Sequence, residues 1–300
     1  MSGRMPGLLS IESPFPEEHS TLRVLEAPES CQDSLWERIF DGSYDKPFIV
    51  DSGLRRFLHF DLDCVQSAMH LRDPYKLSLA YTRKMMAFLL FNRAPQRILL
   101  LGLGGGSLAK FCHRRLPSAA VTAVEVNRDV IALRGEFCIP TDDERFRVIR
   151  ADGAAYVACL QHHKGVILAD ACDRAGIAPQ LDALEFYRNA RRCLSAEGVF
   201  VANLCGESHS RAAHLAKIRD VFGEGVVTLR VRPQGNVIVF AFKERGPEIS
   251  WERLNGAAVD LKRRFGLDFP RYVRRIAHNA AHLPSRTAAP LTPAYGGERY

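Results

Sequence analysis

Five short apolar runs, at residues 97–101, 120–126, 146–150, 165–169 and 199–204, alternate with stretches of helical apolar spacing at 107–116, 129–137, 154–160, 181–194 and 212–222. Continuous apolar strands separated by amphipathic helices predict a parallel sheet covered on both faces. The last two apolar runs, 226–231 and 237–242, are linked only by Pro233-Gln-Gly-Asn236. That link is too short for a parallel crossover, so the pair is expected to close the sheet as an antiparallel hairpin. Upstream, β-type runs at 47–50 and 56–60 flank the turn signal Asp51-Ser-Gly53 and predict a small N-terminal β unit over 33–80. Asp73-Pro74 marks a helix start, and 77–91 reads as a helix leading into the main domain, 81–245. Residues 1–32, dominated by Pro and small polar residues, read as a disordered leader. A basic helical segment is expected over 246–283 and a frayed, Pro-punctuated tail over 284–300.

Charge sharpens this outline in one place. The net +7 is concentrated at the C-terminus, where nine Lys/Arg face four acids from residue 251 onward. That tail contributes +5 and the other 250 residues only +2, which reads as a solvated basic helix face; no aromatic interleaving or nucleic-acid motif accompanies it. No apolar run approaches the roughly 20 residues of a membrane span. The N-terminus lacks the basic-then-apolar pattern of a secretory signal, so a soluble, cytoplasmic protein without membrane contact is expected. Eight scattered cysteines without a C-x-x-C pair argue against a metal site and against a disulfide framework. His162 and His163 read as exposed residues at a helix end and receive no role.

The chemistry gathers at strand ends. Gly102-Leu-Gly-Gly-Gly-Ser107 lies between an apolar strand and a helix, where Gly102, Gly104 and Gly106 permit a tight turn and let a ligand approach backbone N–H groups. Ser107 replaces the third glycine of a strict G-x-G-x-x-G, which fits a nucleoside without a pyrophosphate better than a dinucleotide. Glu125, ending the second strand 23 positions after Gly102, can accept bonds from both ribose hydroxyls. Asp152-Gly153, after the third strand, can reach an adenine amino group, or act as a plain helix cap. Asp170-Ala-Cys-Asp173 follows the fourth strand, facing the crevice where open α/β sheets bind ligands. Either acid there can attract a cation or take a proton from an amine.

From Leu58 to Lys243 these motifs, in this order, resemble the spermidine and spermine synthases, polyamine aminopropyltransferases built on the Rossmann-like class I methyltransferase fold. The family carries G-G-G-D-G-G, an acid after the second strand, D-G after the third and D-S-S-D-P-x-G-P-A after the fourth. Here these are Gly102 to Ser107, Glu125, Asp152-Gly153 and Asp170-Ala-Cys-Asp-Arg-Ala-Gly-Ile-Ala-Pro179. The resemblance implies that Gln66, Glu125 and Asp152 bind the donor nucleoside, Asp170 is the acid-base residue, and Asp173 with Tyr81 binds the amine acceptor. It also implies decarboxylated S-adenosylmethionine as co-substrate, no metal, and a homo-oligomer, a dimer, assembled through the N-terminal β domain.

Three positions depart from the family. Gly105 stands where an aspartate meets the aminopropyl cation, Tyr81-Thr-Arg83 replaces a Tyr-His/Gln-Glu acceptor cluster, and Arg174 replaces a proline. An arginine facing a diammonium acceptor opposes it by charge. Gly105 could instead leave room for the carboxylate of intact S-adenosylmethionine, which keeps a methyltransferase open as an alternative. A non-catalytic nucleoside-binding homologue is a second alternative, disfavoured by the retained Asp170 and Asp173, and a dehydrogenase is a distant one.

Overall fold

The computed structural model describes residues 7–12, 20–161, 165–173, 176–233, 235–244 and 250–281, excluding the side chains at 172, 173, 176, 177, 179, 280 and 281. Two sheets carry the molecule. The first is an antiparallel meander of β1 (Leu8–Glu12), β2 (Ser20–Leu25), β3 (Phe48–Ser52), β4 (Arg55–His59) and β5 (Val65–His70), with α1 (Gln32–Phe40) between β2 and β3. Two of its strands lie in the stretch expected to be a disordered leader. The register explains them: Leu22 and Val24 face inward with Ile11, Leu35, Ile39 and Phe48, a cluster that sequence-distant partners complete.

The second sheet has seven strands in the order β13-β14-β12-β9-β6-β7-β8. They are β6 (Arg97–Leu101), β7 (Ala120–Glu125), β8 (Phe146–Arg150), β9 (Gly165–Ala169), β12 (Val199–Leu204), β13 (Val226–Arg230) and β14 (Val237–Phe242). A two-stranded ribbon of β10 (Cys172–Asp173) and β11 (Gly176–Ile177) follows β9. β8, β7, β6, β9 and β12 are parallel, and β14 pairs antiparallel with both β12 and β13, as the short 233–236 link requires. This is the expected α/β, Rossmann-like sheet with a terminal hairpin. Its central strands β9 and β12 are wholly buried, and edge strand β8 only partly, because helices cover both faces: α3 (Ser107–Arg115), α4 (Arg128–Ala132), α5 (Gly153–Cys159), α6 (Leu184–Cys193) and α7 (Ser208–Phe222).

The helix expected over 77–91 divides into α2 (Ala80–Met85) and a 3-10 turn, Met86–Leu90, whose five residues are all buried. The basic C-terminal segment is two helices, α8 (Trp251–Phe265) and α9 (Phe269–Ala281), broken at left-handed Gly266. Their apolar residues, including Ala258, Leu261, Phe265, Phe269 and Ile276, join the main core, while Lys262, Arg263, Arg264, Arg271 and Arg274 remain exposed. No helix among the described residues is long and apolar enough to cross a membrane. The tail beyond 281 and the pair His162 and His163 lie outside the described residues.

The two sheets are bolted together at the edge of the glycine loop. Arg56 of β4 binds Asp51 through two 2.6 Å bonds and donates to the Glu136 carbonyl at 2.7 Å, while Arg23 of β2 reaches the Glu136 carboxylate at 2.5 Å. Next to them Lys110 of α3, 0% exposed, donates to the Phe137 carbonyl at 2.5 Å and contacts the Met69 sulfur of β5 at 3.2 Å. Burial pulls this ammonium down to about 8, with the Cys138 thiol opposing the shift. Lys110→Ala would empty the site and orphan a buried carbonyl, and is expected to destabilise the fold by about 3 kcal/mol. A denaturation midpoint unchanged from the parent would contradict that role.

Candidate active site

Parallel pairing aligns the carboxyl ends of the central strands. Leu101 of β6 sits opposite Val124 of β7 and Ala169 of β9, Glu125 sits opposite Arg150 of β8, and Ala169 sits opposite Ala202 of β12. The carboxyl ends of these strands therefore line one crevice, with Gly102 and Asp170 just past β6 and β9, Glu125 and Asn203 at the ends of β7 and β12, and Asp152 two residues past β8.

The glycine loop is shaped by its neighbours. Gly102 has φ +95°, its N–H donates to the Val124 carbonyl at 2.9 Å, and a Cβ there would stand 2.4 Å from the Asp170 carbonyl oxygen. Only glycine lets β6 turn so close beside β9. Gly104 and Gly106 are also left-handed, and Gly106 starts α3. At Gly105 a Cβ would meet the Ser67 hydroxyl at 2.6 Å and the Phe137 ring at 2.9 Å. The room expected there is thus taken by β5 and by the loop after α4, because the N-terminal sheet packs directly on the glycine loop.

Glu125 accepts from Leu103 N–H at 2.8 Å through one oxygen and from Asn127 N–H at 2.9 Å through the other. Each oxygen keeps a second lone pair, enough for two hydroxyls of a ribose. Asp152 accepts from Ala155 N–H at 2.7 Å through Oδ1 and so caps α5. Gln66 of β5 is next to Ser67 and donates weakly to the Cys64 sulfur at 3.8 Å. That puts it on the strand lying over the glycine loop.

Asp170 is held by two donors. Asn203 Nδ2 donates to its Oδ1 at 2.9 Å, and the Tyr81 hydroxyl of α2 is its other partner. Burial raises the carboxyl to about 6, while the Asn203 and Tyr81 bonds pull it back. Burial also pushes the Tyr81 hydroxyl well above its ordinary range, reinforced by the Asp170 charge, so it stays a neutral donor. The arrangement gives a carboxylate that is ionised at neutral pH yet close enough to titration to exchange a proton with a bound amine.

Asn203 was not singled out from the sequence. The available signal was one polar side chain, 5% exposed, in the apolar run Val199-Phe-Val-Ala-Asn-Leu204 at a parallel strand's carboxyl end. Arg83, expected to face the acceptor, instead donates to the Leu77 and Ser78 carbonyls, both at 2.7 Å, and lies within electrostatic range of Tyr272 in α9. Two backbone acceptors engage its guanidinium, which weakens the expected opposition to a cationic acceptor. The Asp173 side chain and Arg174 lie outside the described residues. Cys205, just beyond β12, is disulfide-bonded, whereas Cys31, Cys64, Cys112, Cys138, Cys159 and Cys193 are free. A bonded cysteine at this position is not legible in the spacing, because chain folding and not sequence separation brings cysteines together.

The spermine/spermidine synthase domain model matches residues 78–232. A polyamine aminopropyltransferase of Chromobacterium violaceum is 38% identical over 240 residues, covering 78% of this chain and 92% of that protein. Among solved structures, a probable spermidine synthase from Corynebacterium glutamicum superposes with TM-score 0.59 at 18% identity, covering 93% of this chain and 95% of that one. Human methyltransferase-like protein 13 in complex with SAH superposes with TM-score 0.58 at 25% identity, covering 63% of this chain and 93% of that one.

Proposed function

The chain belongs to the spermine/spermidine synthase family, and from that premise we propose that it transfers an aminopropyl group from decarboxylated S-adenosylmethionine to an amine, with Asp170 as acid-base residue. The observation that carries the assignment of Asp170 is its carboxyl group at the crevice end of β9, raised to about 6 and flanked by the Asn203 and Tyr81 donors. Glu125 holds the ribose, Asp152 the adenine, Gln66 touches the donor, and Gly102, Gly104 and Gly106 let the nucleoside approach the loop backbone. Tyr81 and Asp173 border the acceptor.

In this reaction Asp170 takes a proton from the acceptor's ammonium, and the freed nitrogen lone pair attacks the propyl carbon bonded to sulfur. The carbon–sulfur bond breaks as the new carbon–nitrogen bond forms, its electrons neutralising the sulfonium, and methylthioadenosine leaves. Positioning does the rest, since the donor is already activated by its positive sulfur.

A second donor remains in view because Gly105 presents no carboxylate to an aminopropyl ammonium, and the SAH-bound human neighbour shares the fold. Calorimetric titration with methylthioadenosine, decarboxylated S-adenosylmethionine and intact S-adenosylmethionine separates the two. Preference for the decarboxylated donor is expected, and preference for the intact one would move the reaction to methyl transfer. Glu125→Ala should weaken methylthioadenosine about 100-fold, since two charge-assisted bonds to hydroxyls are lost. Full affinity in that variant would remove Glu125 from the ribose site. Four apolar residues of the N-terminal sheet and its loops, Leu54, Leu62, Val65 and Leu71, are exposed and support assembly through this unit. The proposed setting is the cytoplasm.

A further inference from the structure

The contacts of Asp170 extend one residue beyond Asn203. Asn236 Nδ2 donates to Asn203 Oδ1 at 2.9 Å, and Asn203 Nδ2 donates to Asp170 Oδ1 at 2.9 Å. Sheet topology makes this line possible. Asn203 of β12 is one step past the Ala202–Ala169 pair, which brings it level with Asp170. On its other side β14 runs antiparallel, with Leu204 opposite Val237, so Asn236 enters the same crevice edge from the hairpin turn. Three strands thus contribute one carboxylate and two amides in a row.

A carboxamide has two nearly isosteric ends with opposite hydrogen-bonding character. If its NH2 faces a carboxylate, it favours the ionised form; if its oxygen faces the same group, it favours the protonated form. Asn203 alone could adopt either orientation at its buried position. With Asn236 donating to its oxygen, the Asn203 amide is favoured in the orientation that leaves its NH2 for Asp170.

We propose that Asn236 is a positioning residue for the transfer reaction, locking the Asn203 amide so that its NH2 faces Asp170. It touches no reacting atom and acts through Asn203. This role rests on the reading of Asp170 as the acid-base residue. It explains why a polar side chain is held inside the apolar β12, and it gives the terminal antiparallel hairpin a part in chemistry. Among the described residues, the titratable neighbours facing Asp170 are Tyr81 of α2 and, beyond it, Cys64 ahead of β5. β6 offers only the Gly102 backbone and β12 only an amide, so neither titrates with Asp170.

The test is an infrared pH titration of the full-length protein, with the Asp170 carboxyl band assigned by its loss in Asp170→Asn. Asn236→Ala should raise the Asp170 midpoint by about half to one pH unit, as expected for weakening one hydrogen bond to the ionised form. Asn236→Ser, which keeps a donor, should raise it less and also serves if the alanine variant does not fold. Methylthioadenosine affinity should stay within about twofold of the parent in both, because the Asn236 side chain bonds Asn203 and not Glu125 or Asp152. In an active enzyme the acid limb of kcat/KM moves by the same amount. An unchanged or lowered midpoint in Asn236→Ala, or in Asn236→Ser if only that variant folds, overturns the proposal, even if activity falls. Absence of aminopropyl transfer in the parent protein would sink the reading of function instead, and the infrared midpoints would still decide the role of Asn236.

Discussion

Asp170→Asn should reduce kcat/KM for aminopropyl transfer about 1,000-fold while making the folded protein more stable at neutral pH. The loss follows from removing the proton acceptor, a contribution typically of 10² to 10⁴. The gain follows from linkage. Burial raises the folded-state carboxyl from 3.8 to about 6, so the fold binds the proton more tightly than the unfolded chain does. Stability therefore declines as pH rises from about 3.8 through about 6, and the full cost is present above that window. Two pH units correspond to about 3 kcal/mol. Asparagine keeps the shape, can still bond Asn203 and carries no charge to desolvate. Its melting temperature should exceed the parent's at pH 8 and converge with it near pH 4. The parent's kcat/KM should fall on the acid side with a midpoint near 6, as the carboxylate is protonated. Equal stability at pH 8, or an acid limb that survives in Asp170→Asn, would show that Asp170 is not the strained acid of this site.

Gly102→Ala is expected to damage both fold and donor binding. Its φ of +95° costs an L residue about 1–2 kcal/mol, and the new Cβ would stand 2.4 Å from the Asp170 carbonyl oxygen. Relieving that overlap must separate β6 from β9 at the place where the Asp170 N–H donates to the Leu101 carbonyl at 2.9 Å. Strain and overpacking together predict a loss of about 3 kcal/mol in chemical denaturation. Methylthioadenosine should bind at least about tenfold more weakly, because the loop amides move with the backbone. An alanine variant with parental affinity and stability would mean that the turn relaxes without cost, contrary to the geometry.

The departures from the family pattern look different once packed. Gly105 lacks the expected aspartate, yet Ser67 and Phe137 occupy the path of any side chain, so Gly105→Asp alone would not restore a carboxylate in place. Arg83 stands where an acid is expected, yet its guanidinium is engaged by the Leu77 and Ser78 carbonyls. In both positions the surrounding contacts, and not the residue's charge alone, decide what a substrate meets.

The residue pattern was enough to specify the alternation of apolar strands and amphipathic helices, the terminal hairpin and the glycine turn before Ser107. It also put Glu125, Asp152 and Asp170 at strand ends. These are local properties, carried by side-chain period, by the shortness of the 233–236 link and by glycine at tight turns. Tertiary structure alone decided what depends on partners far along the chain. β1 and β2 become strands because Phe48, Leu35 and Ile39 cover them. Asn203 and Asn236 become part of the site because β14 returns antiparallel beside β12. Arg83 bonds backbone because of how the chain turns into α2, and Ser67 fills the space at Gly105 because the N-terminal sheet packs on the loop. Periodicity reports which face of an element is buried, whereas the neighbour it is buried against is fixed only when the sheets come together.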